Sequence, residues 1–560
     1  MNESSLWIIL QRMRLPFVVI LITYTIAMIG LILIPGQDLD GNVYHMSIFD
    51  AFYFVTYTAT TIGFGEFPYP FTYHQKIWVS MSIYTSVLGW FYGIGALVTL
   101  FQDKLFLSEI AIASFQRSVK NIKEDFVIVL GYNETTSEII KRMLAAKVRV
   151  VVIEKDQLRA DYLRLEGYVP PVPILIQDAH NPKALEDAGI KSPSCKGVIS
   201  LFKSEVLNLR ITLASKLLNP HVQIVVKSTT DEETLNLLQA GANIVDNPFL
   251  IISYQLQMAL KAPSILKLEN WLYQSDTLES KTFSIPNEDI VICGYGRLGS
   301  YIYDMFLNNG ILATVIEIDK AKVNSALYQG KENIIHGNAD DQVYLDKANI
   351  QDAKLIIIAT DDDTTNLSIL STVKKLNSNA LIVARENDIT DFSIFSHAKI
   401  DHLYLPEQIL IHKTTNALSN PLSDKLIRCM VNKDEQWGQS LLANLMRSIS
   451  VNPITFELNI TEKDSYEIFK YLKKEDSYLT VGMLKGSRRD REQKNNIIPL
   501  LIQREEEEIL LPEDDFQVLT KDKILFACDE NAREDLESIA NNAFEFNYIM
   551  TGKEKGLFFL

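Results

Sequence analysis

Two long stretches near the start of the chain are almost wholly apolar and contain no charged residue. The first covers residues 15–34 and the second covers residues 77–101. At 1.5 Å per residue, about 20 helical residues cross the ~30 Å hydrocarbon layer of a membrane. The pattern therefore predicts two transmembrane helices. The Ser and Thr side chains of the second indicate that it packs against protein or lines water.

Between these stretches lies a short aromatic-rich segment, residues 47–58, which begins with an S-x-x-D capping pattern. It is too short to span a membrane, so we expect a re-entrant helix whose negative dipole end points at a cation. Residues 60–66 follow and carry Gly63 and Gly65 between bulkier side chains. Glycines at these positions let successive carbonyls face a common axis and replace the water around a cation.

The 60–66 segment resembles the selectivity filter of potassium channels, a Thr-Val-Gly-Tyr-Gly-Asp element. Ile, Phe and Glu66 stand here in place of Val, Tyr and Asp. The predicted filter residues are Thr61, Ile62, Gly63, Phe64 and Gly65. The resemblance implies a pore for monovalent cations, with potassium selectivity expected and a non-selective cation channel as the alternative. One chain supplies one filter strand, so a homotetramer in membrane lipid is expected.

Three glycines, Gly89, Gly93 and Gly95, interrupt the second apolar stretch. They are either close-packing positions or a hinge for a gate, and Gly89 best matches the gating glycine of related channels. Asp103 follows at the inner end. Four copies of it would form an acidic ring that concentrates cations, and a solvated surface carboxylate is the alternative.

Basic residues flank the apolar stretches on their outer sides, whereas the segment between them is mostly acidic. By the positive-inside rule, both termini of this multi-pass chain are predicted to be cytoplasmic. The rest of the 560-residue chain is acidic, and the net charge is −16. No Lys/Arg stripe stands out, which argues against a nucleic-acid partner. The four cysteines form no CxxC pair, as in a reduced cytosolic protein.

From residue 125 onward, short apolar runs alternate with helical stretches, a pattern typical of parallel sheets covered by helices. The pattern occurs twice, in residues 125–262 and 288–420, with a predicted connector at 263–287. In both copies a glycine follows the first run, and an acid follows that glycine after 23 residues. The matched pairs are Gly131 and Gly294, Glu154 and Glu317, Asn208 and Asn366, and Pro248 and Pro406. This correspondence indicates an internal duplication.

The glycine turn of the second copy has the G-x-G-x-x-G spacing of a dinucleotide site. Such a turn lets the backbone approach a pyrophosphate, while an acid ending the next strand binds the ribose. The predicted contacts are Gly294, Tyr295, Gly296, Arg297, Leu298, Gly299 and Glu317. An acid here favours NAD over NADP, and an adenine nucleotide (ADP, AMP or ATP) is the alternative.

The first copy departs from this pattern, because Asn133 and Thr136 replace the second and third glycines. Gly131, Tyr132 and Glu154 remain as candidate contacts. Either this copy keeps only the fold, or it binds a smaller ligand such as ADP or AMP.

Two membrane helices around a filter, followed by two Rossmann-type units, resemble the prokaryotic RCK-gated potassium channels, also called KTN or TrkA-N channels. The resemblance covers nearly the whole chain and implies a prokaryotic plasma (inner) membrane location, a 104–124 linker and a TrkA-C-like lobe at 434–545. The fold class expected is an α-helical pore domain, two α/β domains and a small β-rich α+β lobe. By resemblance, the adenosine half of the ligand would neighbour Asn338, Ala339, Thr360 and Asp361, and Asp178 is a first-copy counterpart.

The function expected from these features is a channel gated by a nucleotide, not an enzyme. A membrane-anchored NAD-dependent oxidoreductase is a further alternative, although no acid or base for a hydride path stands out. Calcium is a second candidate ligand, because acidic clusters bind calcium in this family. The predicted metal ligands are Glu386 and Asp388, although they lack EF-hand spacing, and a solvated loop or a nucleotide contact is the favoured alternative.

Overall fold

The computed structural model describes residues 3–66, 68–387, 392–398, 400–475 and 477–553. It divides into two compact units, Met1–Asn121 and Ile122–Leu560. The helices of the first unit are α1 (Glu3–Leu33), α2 (Ile48–Ala59), α3 (Tyr73–Gln102) and α4 (Lys104–Lys120). A short antiparallel hairpin joins α1 to α2 through β1 (Gly36–Gln37) and β2 (Val43–Tyr44).

Helix α1 contains the first apolar stretch up to Leu33, helix α3 contains all of the second, and both helices begin before those stretches do. Within them, Met13–Leu33 and Tyr73–Gln102 are long and apolar enough to cross a membrane. The helices pack closely, since a Cβ at Gly30 would lie 1.9 Å from the indole of Trp78. That indole Nε1 donates to the carbonyl of Ala27 at 3.1 Å. Many large apolar side chains of both helices remain exposed, as on a surface that meets lipid.

The second unit opens with a six-stranded parallel sheet in the order β5-β4-β3-β6-β7-β8. Its strands are β3 (Phe126–Leu130), β4 (Arg149–Glu154), β5 (Ile174–Ile176), β6 (Cys195–Ser200), β7 (Gln223–Lys227) and β8 (Ile244–Asp246). Its helices are α5 (Glu134–Ala145), α6 (Gln157–Leu165), α7 (Pro182–Asp187), α8 (Glu205–Leu218), α9 (Asp231–Gln239) and α10 (Pro248–Lys261). This is the Rossmann strand order, which places a crevice at the carboxyl ends of the central strands.

A second parallel sheet repeats the arrangement in the order β11-β10-β9-β12-β13-β14. Its strands are β9 (Ile290–Cys293), β10 (Thr314–Glu317), β11 (Ile334–His336), β12 (Leu355–Ile358), β13 (Leu381–Arg385) and β14 (His402–Tyr404). Its helices are α12 (Arg297–Asn308), α13 (Lys320–Tyr328), α14 (Gln342–Lys347), α15 (Asp363–Leu376), α16 (Phe392–His397) and α17 (Pro406–Ser419). The identical order agrees with the predicted duplication. We call the two halves the first domain and the second domain.

The last helix of each domain packs on the other domain. Helix α10 of the first domain lies on α12, where the Ser253 hydroxyl donates to the carbonyl of Tyr301 at 2.9 Å. Helix α17 of the second domain lies on α5, where His412 Nδ1 is 2.9 Å from Arg142 Nη1. The exchange is reciprocal, so each glycine turn has a helix of the other domain beside it.

The predicted connector, residues 263–287, is not a loose link. It begins with a buried helix, α11 (Pro263–Leu272), whose Trp271 Nε1 donates to the carbonyl of Pro453 at 2.7 Å. The carboxylate of Glu435 accepts hydrogen bonds from the backbone amide (2.9 Å) and the hydroxyl (2.6 Å) of Ser264. These partners lie far along the chain, so the pattern of the connector alone did not indicate its burial.

A four-stranded antiparallel sheet in the order β15-β18-β16-β17 forms the C-terminal lobe. Its strands are β15 (Ile454–Asn459), β16 (Ile497–Arg504), β17 (Glu507–Leu510) and β18 (Lys523–Cys528). The accompanying helices are α18 (Pro421–Met430), α19 (Glu435–Ser448), α20 (Tyr466–Leu472), α21 (Val481–Leu484), α22 (Glu530–Asn541) and α23 (Ala543–Thr551). The predicted fold class, helical segments plus two α/β domains and a β-rich lobe, is confirmed.

Candidate pore and nucleotide sites

The predicted filter, residues 60–66, is an irregular segment directly after α2. Thr61, Gly63 and Gly65 have positive φ angles of 63°, 65° and 72°. A Cβ on either glycine would meet nothing within 4 Å, so backbone conformation and not crowding favours glycine here. The amide of Gly63 donates to the carbonyl of Tyr57 at 3.1 Å, which ties the segment to α2.

Two tyrosines of α2 hold the end of the segment. The Tyr57 hydroxyl donates to the backbone carbonyl of Glu66 at 2.9 Å, and the Tyr53 hydroxyl donates to its Oε2 at 3.3 Å. The extra methylene of the acid is therefore accommodated by contacts with the preceding helix. Ile62 and Phe64 alternate with the glycines and are 59% and 61% exposed in the single chain.

Helix α3 runs without a break through the three glycines of the predicted hinge. A Cβ at Gly89 would lie 2.6 Å from Thr23 Oγ1, and one at Gly93 would lie 2.5 Å from Ile20 Cδ1. Both are therefore close-packing positions against α1. A Cβ at Gly95 would meet nothing within 4 Å. That any of the three bends in a gate stays a prediction.

Asp103 lies between α3 and α4. Its Oδ1 accepts a hydrogen bond from the amide of Phe106 at 3.4 Å, and its carbonyl accepts one from the amide of Leu107 at 3.0 Å. These are the contacts of a helix N-cap, so the residue has a local role at the start of α4. Its place in an acidic ring stays a prediction.

A cleft of about 1080 Å³ lies at the carboxyl ends of the second domain's strands. Nine of the predicted contacts line it: Gly294, Tyr295, Gly296, Arg297, Glu317, Asn338, Ala339, Thr360 and Asp361. The remaining two, Leu298 and Gly299, are buried in α12. A Cβ at Gly299 would lie 2.0 Å from the carbonyl oxygen of Gly294, so this glycine permits close helix–strand packing.

The first amides of α12 face the cleft without a side-chain cap. Gly296 is the N-cap and provides no side-chain hydrogen bond, and a Cβ there would meet nothing within 4 Å. The first-turn amides of a helix need acceptors and favour an anion. The turn therefore fits a phosphate group of a ligand.

Glu317 is 5% exposed and holds the glycine turn in place. Its Oε2 accepts from the amide of Tyr295 at 2.5 Å, and its Oε1 accepts from the amide of Asp319 at 2.8 Å. Each carboxylate oxygen has a second lone pair, so the side chain can still accept from ribose hydroxyls.

Two arginines add positive charge to the cleft, and sequence reasoning found only Arg297. The guanidinium groups of Arg297 and Arg385 each lie 4.9 Å from the ring centre of Phe249, on α10 of the other domain. Arg385 is 8% exposed, and its Nε has no hydrogen-bond partner among the described residues. Burial and the neighbouring Arg297 charge lower the pKa of Arg385. A bound anion would satisfy both groups.

Asn366 and the β12–α15 turn hold the opposite wall of the cleft. The Thr360 hydroxyl donates to Asn366 Oδ1 at 2.6 Å, and Asn366 Nδ2 donates to the carbonyl of Arg385 at 3.0 Å. The side chain of Asn338 accepts from the amide of Asp340 at 3.0 Å. The repeated asparagine thus links the ends of β12 and β13.

The first domain has the same turn, but its own side chains close it. Asn133 Oδ1 accepts from the amide of Thr136 at 2.9 Å, and Thr136 Oγ1 accepts from the amide of Asn133 at 2.8 Å. Phe202 stands where the second domain has Thr360, and a Cβ at Gly131 would lie 2.9 Å from its ring. A cavity of about 410 Å³ lies at this turn, and a separate cleft of about 1200 Å³ also reaches Tyr132 and Asn133.

Gly131, Tyr132 and Asn133 line this smaller cavity, but Glu154 and Asp178 do not. Glu154 is 3% exposed and accepts from the amides of Tyr132 (2.6 Å) and Asp156 (2.8 Å), as Glu317 does in its domain. Asp178 is about half exposed and lies 2.7 Å from Nδ1 of His180. Retention of the acid in the first copy is thus explained by the fold itself.

The predicted calcium ligands are only partly described. Glu386 is fully buried at the end of β13, whereas Asp388 lies outside the described residues. Within the described part of the chain, no three His, Cys, Asp or Glu side chains form a group that could hold a metal ion. Calcium binding stays a prediction.

A parallel sheet in this strand order, with a glycine turn and an acid at the end of the next strand, defines a Rossmann-type domain, and the chain has two. Both match the TrkA-N domain model, at residues 127–248 and 290–406. The chain therefore carries two TrkA-N domains, as the resemblance predicted.

The chain is also homologous to archaeal proteins. It is 23% identical over 282 residues to potassium channel protein 1 of Methanocaldococcus jannaschii, covering 50% of this chain and 80% of that protein. It is 30% identical over 308 residues to an uncharacterised protein of Methanothermus fervidus, covering 54% of this chain. The chain spans 46% of the length of that second relative.

Among solved structures, the fold is similar to that of the GsuK channel. The TM-score is 0.50 at 14% identity, and the match covers 98% of this chain and 100% of that chain. At this identity the likeness concerns the fold alone.

Proposed function

We propose that this chain is a homotetrameric potassium channel whose pore is opened or closed by a nucleotide bound to the second TrkA-N domain. The proposal depends on one observation: the same chain has a Thr-Ile-Gly-Phe-Gly segment between two membrane-length helices and a cleft lined by the second glycine turn, Arg385 and Glu317. Homology to a potassium channel protein supports it.

The ligand proposed for the second domain is NAD, with ADP, AMP or ATP as the alternative. Support comes from the uncapped amides of α12, from the two arginines at Phe249, and from Glu317 at the end of β10. The amides and arginines would hold the pyrophosphate, and the acid would accept from the ribose. These are binding roles, so the nucleotide is proposed as a regulator and not as a substrate.

Gating is proposed to work by population shift. A ligand that binds the open arrangement better than the closed one moves the equilibrium by its difference in affinity. A tenfold preference per site is worth ~1.4 kcal/mol. Four sites in a tetramer would supply ~5.5 kcal/mol, which shifts a gate from about 1% to about 99% open.

Both termini are proposed to lie in the cytoplasm of a prokaryotic cell, with α1 and α3 crossing the plasma membrane. The basic residues outside the two apolar stretches support this orientation. Tagging either end and testing its accessibility in sealed membrane vesicles of known orientation would check it.

The test of function is single-channel current from the purified protein in planar bilayers under a potassium/sodium gradient. NAD, NADH, ADP and ATP are added in turn to the bath facing the nucleotide domains. We expect a reversal potential near that of potassium and an open probability that changes with a nucleotide. A reversal potential midway between the two ions would instead identify a non-selective cation channel.

A matched pair of variants separates the site from the scaffold. Gly296→Asp places a carboxylate at the open N-cap of α12, where it competes with a phosphate, and should abolish the nucleotide response. Asn133→Asp makes the equivalent change in the first domain, where Asp is also a good N-cap, and should leave the response intact. If the open probability of Gly296→Asp still responds to the nucleotide, the nucleotide does not bind in the proposed cleft.

A further inference from the structure

The duplication lets the two turns be compared residue by residue. Phe249 and Glu407 are the second residues of α10 and α17, and they are 158 positions apart. Lys227 and Arg385 end the strands β7 and β13 at the same spacing of 158. The exchanged helices therefore bring Phe249 to the second domain's arginines and Glu407 to the first domain's lysine.

Glu407 and Lys227 form an ion pair at the first domain's turn. Lys227 Nζ lies 3.7 Å from Glu407 Oε1, and their side chains are 11% and 25% exposed. Both line the 410 Å³ cavity together with the turn residues Gly131 and Asn133. Burial lowers the pKa of Lys227, and the Glu407 carboxylate opposes that shift.

In the second domain no carboxylate stands at the position of Glu407, although Glu407 itself, Asp361 and Asp363 lie close enough to Arg385 to oppose the lowering of its pKa by burial. The residue equivalent to Glu407 is Phe249, whose ring contacts the two arginines without neutralising them. Arg385 Nε has no hydrogen-bond partner among the described residues, so a phosphate bound here would accept from it. The two turns thus differ in the group that faces the basic side chain: a carboxylate of the chain, Glu407, in the first domain, and the ring of Phe249 in the second.

We propose that Glu407 occupies, in the first domain, the place that a ligand phosphate takes in the second. The chain supplies its own carboxylate to one of two related anion sites, so it binds one pyrophosphate-bearing ligand per chain. The comparison rests on the proposed nucleotide site of the second domain, whereas the ion pair at the first domain stands independently of it.

A tethered carboxylate is an effective competitor for a diffusing anion. Because α17 is packed on α5, Glu407 is held beside Lys227 at a high effective concentration, on the order of millimolar or more. Without its charge, the cavity would be lined by the cations Lys227, Lys203 and Arg159. Neutralising Glu407 should therefore convert the cavity into a site for a small phosphate anion.

The experiment is isothermal titration calorimetry of the full-length chain in detergent, with inorganic pyrophosphate as the probe. Glu407→Gln should bind one more pyrophosphate per chain than the unaltered protein. Lys227→Met combined with Glu407→Gln should remove that additional site. Thermal unfolding of each variant checks that the chain is folded.

The reciprocal change gives a second, independent arm. Phe249→Glu should weaken pyrophosphate and NAD binding in the second domain at least tenfold, whereas Phe249→Gln should not. The inference is overturned if folded Glu407→Gln gains no site, if the gain persists without Lys227, or if Phe249→Glu binds like the unaltered protein. If the unaltered chain binds neither pyrophosphate nor NAD, the proposed nucleotide site is wrong. The number of pyrophosphates bound per Glu407→Gln chain still tests the inference for the first domain.

Discussion

Replacing Glu317 by Gln separates the two roles of this acid, because a buried charge that accepts two backbone hydrogen bonds is lost. The Gln carbonyl can keep one bond, but its NH₂ group then faces the other backbone N–H. Hydrogen bonds to charged groups contribute about 1.5–3 kcal/mol, and an unpaired buried donor costs about 1–3 kcal/mol. We expect the free energy of unfolding to fall by about 3 kcal/mol, or roughly 6–12 °C in Tm for a domain of about 150 residues.

The first domain provides a matched variant, since Glu154 makes the same two backbone contacts. Glu154→Gln should lower Tm by a similar amount but leave NAD affinity unchanged. Glu317→Gln should lower both, with NAD binding weakened at least tenfold. Calorimetric unfolding and titration with NAD measure the two effects on the same preparations.

An exposed acid at the start of α5 serves as the control, because Glu134→Gln removes a charge without a buried partner. Glu134→Gln should change neither Tm nor the affinity for NAD. A Glu154→Gln variant that unfolds at the temperature of the unaltered protein would contradict the structural role of these acids, since the same geometry would then have no effect on stability. The separation of the two roles is refuted if Glu154→Gln weakens NAD binding as strongly as Glu317→Gln.

Two further predictions concern packing and pH. Gly89→Ala should lower the free energy of unfolding of the detergent-solubilised protein, because its Cβ would meet Thr23 Oγ1 at 2.6 Å. Gly95→Ala should leave that free energy unchanged or raise it by up to about 1 kcal/mol, because its Cβ would meet nothing within 4 Å. Burial lowers the pKa of His402, stacked 4.1 Å from Phe283, to about 4. Because the folded-state pKa is below the ordinary 6.5, stability should fall as pH drops from 6.5 to 4. The stability of His402→Gln should not show this loss between pH 6.5 and 4. If the variant loses stability over this pH range as the unaltered protein does, the loss is not caused by His402.

Local patterns were sufficient to predict the two long helices, the main alternation of strands and helices, and the duplication. Uncharged length indicated the two long helices, and the glycine turns and their following acids marked the two sheets. The residue type at position 133 even indicated a difference between the turns, since Asn is a good N-cap and Gly296 leaves the helix amides open.

The features that sequence reasoning missed depend on contacts between distant parts of the chain. Arg385 is an ordinary strand residue until α10 brings Phe249 against it, and nothing near position 249 reveals that approach. Likewise, the polar-looking connector contains α11, which is buried because the C-terminal lobe packs on Trp271. Glu154 stays a predicted ligand contact, because the pattern cannot distinguish an acid that binds ribose from one that only holds a turn.

The reciprocal exchange of α10 and α17 also bears on how such a chain could arise. In a single-copy ancestor, the same exchange would have joined two identical subunits, and any substitution would have altered both binding sites at once. Fusion of the two copies into one gene removed that symmetry. Phe202 in the first half and Glu407 on α17 of the second half could then arise separately, so that the first domain's turn lost its ligand while the second domain kept its cleft.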